Sequence, residues 1–309
     1  NDRLNGFGGA QDAVSSLYQD NGYLFSRLTP VETKADNDSV DLEIRIYEGD
    51  QAYLNDIIIS GNTRTNEHIA RRELYTLPGD LFSKTSILRS IRQLGVIGHF
   101  DPEKINPVPL PDISNGTVDL LYKLEERAND QFEISGGWGA GMLVGTIGVR
   151  FNNFAMRNFL DLKEWRPYPS GDGQSLSIRM QSNGRVYQSY TVSFVEPWLG
   201  GKKPNTFSVS VYRSLMTNGE QKNSVSRQSM IIDGATIGLG KRLTWPDDFF
   251  SLYDELSYQR YHLKDYKVYS FLFDNGTSNM LSLTTRLTRF STSPNLIYPR
   301  SGSSFSMSL

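Results

Sequence analysis

The spacing of apolar residues changes near Arg127. Upstream, helical and strand spacings alternate. Ala10, Ala13, Val14 and Leu17 form a helical stripe over Ala10–Gln19, closed by Asn21-Gly22. Two strand-like runs follow, Tyr23–Thr33 and Val40–Tyr47. In the second, Val40, Leu42, Ile44 and Ile46 alternate with polar residues and Tyr47, which predicts one buried and one wet face. Residues 1–49 read as the back half of a βααββ unit, and residues 50–128 as a complete one. Its elements are a strand over Tyr53–Ser60, a tight turn at Gly61–Thr65 and a helix over Glu67–Leu74 capped by Asn66. A second helix starts at Ser83 or Thr85, turns Ile87, Leu88, Ile91 and Leu94 inward, and ends at Gly95 and then Gly98–Pro102. Strands Ile105–Leu110 and Thr117–Glu126 are joined through Asn115-Gly116, with Val118, Leu120, Tyr122 and Leu124 on one face.

Downstream, residues 129–309 become a series of two-faced strands. Phe132, Ile134 and Trp138 alternate with Glu133 and Ser135. Leu143, Ile147, Val149 and Phe151 oppose Thr146, Arg150 and Asn152. Leu176, Ile178 and Met180 oppose Ser177, Arg179 and Gln181; Tyr190, Val192 and Phe194 oppose Ser189, Thr191 and Ser193. Phe207 to Val211, Ala235 to Leu239, Leu256 to Tyr258 and Leu281 to Leu287 continue the pattern, and Phe305, Met307 and Leu309 begin a ninth strand. The turns fall into two alternating sets. One holds Pro197-Trp198, Trp245-Pro246 and Tyr298-Pro299. The other holds Gly139–Gly141, Asn183-Gly184 and two polar loops, Thr217–Gln228 and Leu263–Gly276. Such segregation suits strands that run up and down through a membrane, with Trp198, Trp245 and Tyr298 as an interfacial girdle. A soluble sandwich also tolerates the alternation but gives no reason for the sorted turns.

Composition adds limits. No run approaches 18 consecutive apolar residues, which excludes a membrane-spanning helix but not barrel strands. Residues 1–128 hold 20 acidic and 13 basic side chains, and the remainder 14 and 19. No basic cluster points to nucleic acid, and with no cysteine there is neither disulfide nor thiolate chemistry. No signal-peptide pattern opens the chain and its end falls within a strand, so it reads as a fragment. Catalytic chemistry is not evident: no cofactor or metal motif occurs. His68, His99 and His262 lack partners at metal-ligand spacing, and His68 at a helix start and His99 at a helix end read as ordinary solvated histidines. The carboxylate pairs Glu125-Glu126 and Asp247-Asp248 read as solvated.

Ile57 to Thr65, then Ile69 to Leu74, Gly79-Asp80 and Leu94 to Phe100, resemble a POTRA domain of the BamA family, in particular the one next to the barrel. Gly61, Asn62 and Arg64 mark its strand-to-helix turn, a structural feature. Phe194-Val195-Glu196-Pro197-Trp198-Leu199, Asn152-Asn153-Phe154 and Arg289 through Tyr298-Pro299-Arg300-Ser301-Gly302 are similar to barrel segments of the same family, although the insert Arg157–Gly173 is longer than the family suggests. The resemblance implies α+β POTRA (βααββ) modules in the periplasm followed by an antiparallel 16-stranded transmembrane β-barrel in the outer membrane, about eight to nine strands of it present. The family's Arg-Gly-Phe lumen loop would lie beyond Leu309.

The resemblance further implies an insertase rather than an enzyme, with no cofactor. Its partners would be unfolded outer-membrane proteins, accessory lipoproteins, the bilayer and lipopolysaccharide. Clients would be held by strand addition at a POTRA edge. The first barrel strand, Gln131 to Gly139, is the natural template, because its closure against a last strand is weakened by Gly136, Gly137 and Gly139. Phe132, Ile134 and Trp138 complete that candidate seam. The step from Glu126 to Asp130 reads as a hinge with almost no linker. A polypeptide-secreting translocator of the two-partner type is an alternative. A passive porin or adhesin would not need the module at 53–126, and an outer-membrane hydrolase lacks a nucleophile with a base.

Overall fold

The computed structural model describes residues 14–36, 39–139, 142–165, 167–267, 273–291 and 302–309. The start of the first expected helix, the Ala140-Gly141 turn and the Tyr298-Pro299 turn lie outside them. The chain forms two compact units, Asn1–Ala128 and Asn129–Leu309.

In the first unit, helix α1 (Val14–Asp20) leads into a two-stranded hairpin, β1 (Arg27–Asp36) and β2 (Ser39–Tyr47). β1 starts four residues later than its apolar pattern suggests. Tyr23–Ser26 is instead a turn, in which the Leu24 amide donates to the Gly22 carbonyl and the Ser26 hydroxyl to the Tyr23 carbonyl. The expected buried face of β2 is absent: Val40, Leu42, Ile44 and Ile46 are all exposed. Alternation shows that a strand has two faces, not that one of them is covered.

The complete βααββ unit follows as β3 (Tyr53–Ser60), α2 (Glu67–Arg71), α3 (Lys84–Val96), β4 (Asn106–Asp112) and β5 (Thr117–Lys123). β5 lies centrally, parallel to β3 and antiparallel to β4. Val118, Leu120, Tyr122 and Leu124 bury one face of it against Leu54, Ile57, Phe82, Ile87, Leu94 and Phe100. The Tyr122 hydroxyl, inside that core, is 3.1 Å from Thr76 Oγ1.

Several boundaries differ from expectation. α2 stops at Arg71 because the Glu73 and Leu74 amides reach back three residues, to Ala70 and Arg71, and the Tyr75 amide is taken by Ser90 Oγ at 2.9 Å. Asn66 occupies the N-cap position but its side chain makes no capping bond, whereas Ser83 does cap α3, accepting from the Ser86 amide. Gly95 does not end α3. The helix continues to Val96, and the hydrogen at Gly95 faces Pro102, which a Cβ would meet at 3.1 Å. β5 ends at Lys123, after which Leu124 still donates to the Ser60 carbonyl and Asp101 to that of Glu125.

The second unit is one antiparallel sheet in which every strand pairs with its sequence neighbours: β6 (Gln131–Gly139), β7 (Met142–Phe154), β8 (Gln174–Asn183), β9 (Tyr187–Glu196), β10 (Asn205–Thr217), β11 (Ser229–Arg242), β12 (Phe250–Lys264), β13 (Gly276–Phe290) and β14 (Ser304–Ser308). The register puts Ile134, Ile147, Met180 and Tyr190 on one face, with Val192, Val211, Ala235, Tyr258 and Leu281 alongside. Arg150, Arg179 and Arg286 project from the other face, among Ser177, Thr191, Ser193, Ser282 and Thr284. The apolar face carries paired polar groups near its margins: Arg213 with Asp233 at 3.4 Å and Thr285 donating to Asp254 at 2.6 Å. An apolar outside with a polar inside is the pattern of a barrel wall.

Candidate functional site: two contrasting sheet edges

A sheet edge exposes unpaired N–H and C=O groups, so each edge strand is either blocked, covered or used. β4 is blocked. It reads Asn106-Pro107-Val108-Pro109-Leu110-Pro111-Asp112 and pairs with β5 through all seven residues. In an antiparallel ladder, alternate residues turn both backbone groups toward the partner strand. Proline has no N–H to give, so Pro107, Pro109 and Pro111 take the positions that face away from β5. The free edge of β4 therefore presents carbonyls without amides and cannot complete a ladder with a client strand. Sequence reasoning missed this, although alternate prolines in a strand are its signal. The strand addition expected of this unit does not fit β4. On the opposite edge, β3 is partly covered: the Leu54 amide and carbonyl bond Asp80 and Gly79, and the Ile57 carbonyl accepts from Arg71 at 2.9 Å.

The turn after β3 is fastened rather than open. Gly61 has φ +93°, and a Cβ there would lie 1.9 Å from the Leu124 carbonyl oxygen, so only glycine fits. Asn62 Nδ2 donates to the Thr65 carbonyl at 3.1 Å. The Glu126 carboxylate accepts from Thr63 Oγ1 at 2.7 Å, from the Arg64 amide at 2.8 Å and from the Thr65 amide at 2.6 Å. It is not the solvated carboxylate the sequence suggests. Burial alone would push its pKa up, but the hydrogen bonds from Thr63, Thr65 and the two backbone amides prevail and hold it below the usual glutamate range. Glu125 is bonded by Lys104. Asp247 accepts from Arg289 at 2.8 Å, and that bond, opposed by partial desolvation, keeps its carboxyl below the usual range. His99 is buried, not solvated.

β6 presents the contrasting edge. It is a terminal strand of the sheet, paired only with β7 among the described residues. Phe132, Ile134 and Trp138 stand on its outward face, 74, 83 and 76% exposed. Gly136 and Gly137 have no positive φ, and a Cβ on either meets nothing of β7 closer than 3.8 Å. Pairing with β7 therefore does not require them. The glycine that pairing does require is Gly145 of β7, opposite Gly136. A Cβ there would come within 2.6 Å of the Ser135 carbonyl oxygen. On the inward face Glu133 reaches Arg179 of β8 at 3.1 Å, passing over Gly148. Gly139 closes β6. Of the expected girdle, Trp198 is half-buried at the β9–β10 turn and Trp245 is exposed at the β11–β12 turn, the same end of the meander; Tyr298 lies outside the described residues.

Residues 52–127 match the POTRA family, described as a surface antigen variable number repeat. The outer membrane protein assembly factor BamA of Neisseria meningitidis is 28% identical over 180 residues, 57% of this chain and 20% of that protein. A putative outer membrane protein assembly factor of Treponema pallidum is 28% identical over 194 residues, 61% of this chain and 21% of that protein. The crystal structure of Haemophilus ducreyi BamA lacking POTRA domains 1–3 superposes with a TM-score of 0.67, covering 96% of this chain and 55% of that one at 20% identity, a likeness of fold. Taken together, the POTRA match, the assembly-factor relatives and the shared fold support a BamA-family fragment. Its two units are accordingly a POTRA module and part of a BamA-type barrel. Its BamA and Omp85 homologues are outer-membrane proteins with periplasmic POTRA domains, which gives the location expected of the two units. The matched segment spans about a fifth of the length of these curated relatives.

Proposed function

We propose that the chain is the barrel-proximal part of an outer-membrane insertase that folds and inserts β-barrel proteins, with β6 as the template for client strands. Residues 1–49 are then the end of one POTRA domain, 50–128 the domain next to the barrel, and 129–309 the N-terminal half of the barrel. The physical problem is the unpaired backbone of a strand entering lipid, where each unsatisfied group costs several kcal/mol. An edge strand satisfies those groups as pairing advances.

The single observation that carries the reading is the second edge of β6. In a meander the first strand meets its successor on one side, and its other side meets either the closing strand or a client. Gly136 and Gly137 offer that closure no side chains, and β7 does not require them. The names of the Neisseria and Treponema relatives support outer-membrane proteins as clients. Accessory lipoproteins and lipopolysaccharide are further partners of this reading. The mechanism exchanges hydrogen bonds and breaks no covalent bond. Depletion of the protein in its cell tests the reading: unrelated barrel proteins lose assembly. Normal assembly of all of them after depletion contradicts it.

A further inference from the structure

The connection between β7 and β8 is not a plain turn. Residues 155–165 and 167–173 fold back onto the outward face of the sheet. The Ala155 amide bonds the Pro169 carbonyl at 2.9 Å, the Gly171 amide the Asn153 carbonyl at 2.8 Å, and Arg157 pairs with Asp172 at 2.9 Å. The Tyr168 ring lies 4.3 Å from that of Phe151, which shares the outward row of Ile147 and Val149. Phe154, Ala155 and Tyr168 are buried where the connection folds back. Two short 3-10 turns, Met156–Asn158 and Leu162–Glu164, form its outer part.

That outer part is apolar where it could be polar. Leu160 is 90% exposed and Leu162 76%, with Met156, Phe159 and Trp165 also exposed beside them. The Phe159 and Trp165 rings pack at a tilt with centroids 5.9 Å apart, and the Trp165 indole N–H donates to the Phe159 carbonyl, so the patch is held in shape. A fixed, exposed cluster of this kind marks a contact surface. Its neighbours say which one. It continues the outward face of the sheet, at the end of the strands that also carries Trp198 and Trp245. Asp161, Lys163 and Glu164 interleave with Leu160, Leu162 and Trp165, as in segments that lie in a membrane interface with charges directed to water.

We infer that residues 156–165 form an interfacial anchor that dips into the periplasmic leaflet beside the barrel, to the depth of about 5–10 Å typical of such segments. The inference rests on the outward face of the sheet meeting lipid. It has a consequence for β6: the Tyr168 hydroxyl donates to Asp130 at 2.7 Å, and Asp130 also accepts from the Asn152 amide. Asp130 is the residue before β6, so the anchor ties the start of the candidate template strand to the level of the membrane surface.

Because the chain has no cysteine, a single one can be placed at will. Leu160→Cys, Leu162→Cys, Ile178→Cys on the outward barrel face and Val225→Cys in a polar loop are labelled with a fluorophore. Each is then reconstituted in phosphatidylethanolamine–phosphatidylglycerol vesicles. Quenching is read with aqueous iodide and with lipids carrying a nitroxide near the headgroup or deep in the acyl chain. The expected result is that labels at 160 and 162 are quenched by the shallow nitroxide and shielded several-fold from iodide relative to 225, while 178 responds to the deep nitroxide. Lipid quenching at 178 with iodide access at 160 and 162 sinks the anchor alone. Shielding of 160 and 162 without lipid quenching means that protein covers them and also sinks it. Iodide access at 178 as well contradicts the lipid-facing sheet and the anchor together.

Discussion

β4 carries a proline at every second position, and β6 carries glycines at 136, 137 and 139. Both strands end a sheet. The prolines remove the donors from a free edge while leaving seven residues of pairing with β5 intact. The glycines leave every donor and acceptor in place but remove the side chains that would hold a partner strand. One edge lacks the donors that a new strand needs, and the other keeps them, which is the difference the proposed template role rests on. Two residue types usually grouped as strand breakers thus have opposite consequences at an edge: proline decides whether pairing is chemically possible, and glycine decides how firmly it holds.

The comparison breaks most directly if β6 is given the chemistry of β4. Ile134→Pro and Ser135→Pro remove adjacent amides that point in opposite directions across the strand. One of the two should break the β6–β7 ladder and cost about 3 kcal/mol or more, seen as loss of the folded barrel. The other should leave the barrel folded and abolish client assembly. Equal activity in both variants would remove β6 as the template.

On the POTRA side the contrast depends on a rigid unit that keeps β4 in place. Glu126→Gln removes the charge from three hydrogen bonds that anchor the Gly61–Thr65 turn. It should destabilise that unit by roughly 2 kcal/mol, the scale of bonds to a charged group, measured by hydrogen exchange of β3 and β5 amides. The folded pKa of Glu126 is depressed. Its contribution is therefore complete above the unfolded glutamate value of about 4.3 and is lost as pH falls through the lower folded value. The Gln variant should lose that part of the acid sensitivity.

A smaller effect separates the glycines from one another. Gly145→Val should disturb β6–β7 pairing, because its Cβ runs into the Ser135 carbonyl. Gly137→Val should leave stability unchanged or raised by about 0.5–1 kcal/mol, the usual gain on replacing a strand glycine, yet slow client assembly by firming the closure. The smallest change is expected of Arg179→Ala. Both members of its pair with Glu133 are half exposed, so thermal stability should shift by no more than about 1 kcal/mol.

Much of this was legible in the sequence. The nine strands of the sheet follow from period-two alternation, and the core of the POTRA unit from Val118, Leu120, Tyr122 and Leu124. What stayed hidden depends on distant partners. Glu126 reads as one of two adjacent solvated carboxylates until the fold brings the Gly61–Thr65 turn to it. Gly145 looks like any other strand glycine until pairing with β6 brings the Ser135 carbonyl oxygen to within 2.6 Å of where a Cβ would stand. The exposed apolar face of β2 could not be told from a buried one, because alternation carries no record of what lies opposite. The insert after β7 was visible as extra length, but its placement on the outward face comes from the Phe151–Tyr168 contact.

Single cysteines at Ile134 of β6 and Leu110 of β4, in an otherwise cysteine-free chain, test the difference between the two edges. Each is paired with a cysteine in the terminal strand of a barrel client stalled during assembly, and the disulfide-linked product is measured. Cross-linking at Ile134, with little or none at Leu110, is the predicted result. Capture at Leu110 with consistent failure at Ile134 and at its neighbour Gly136 would contradict it.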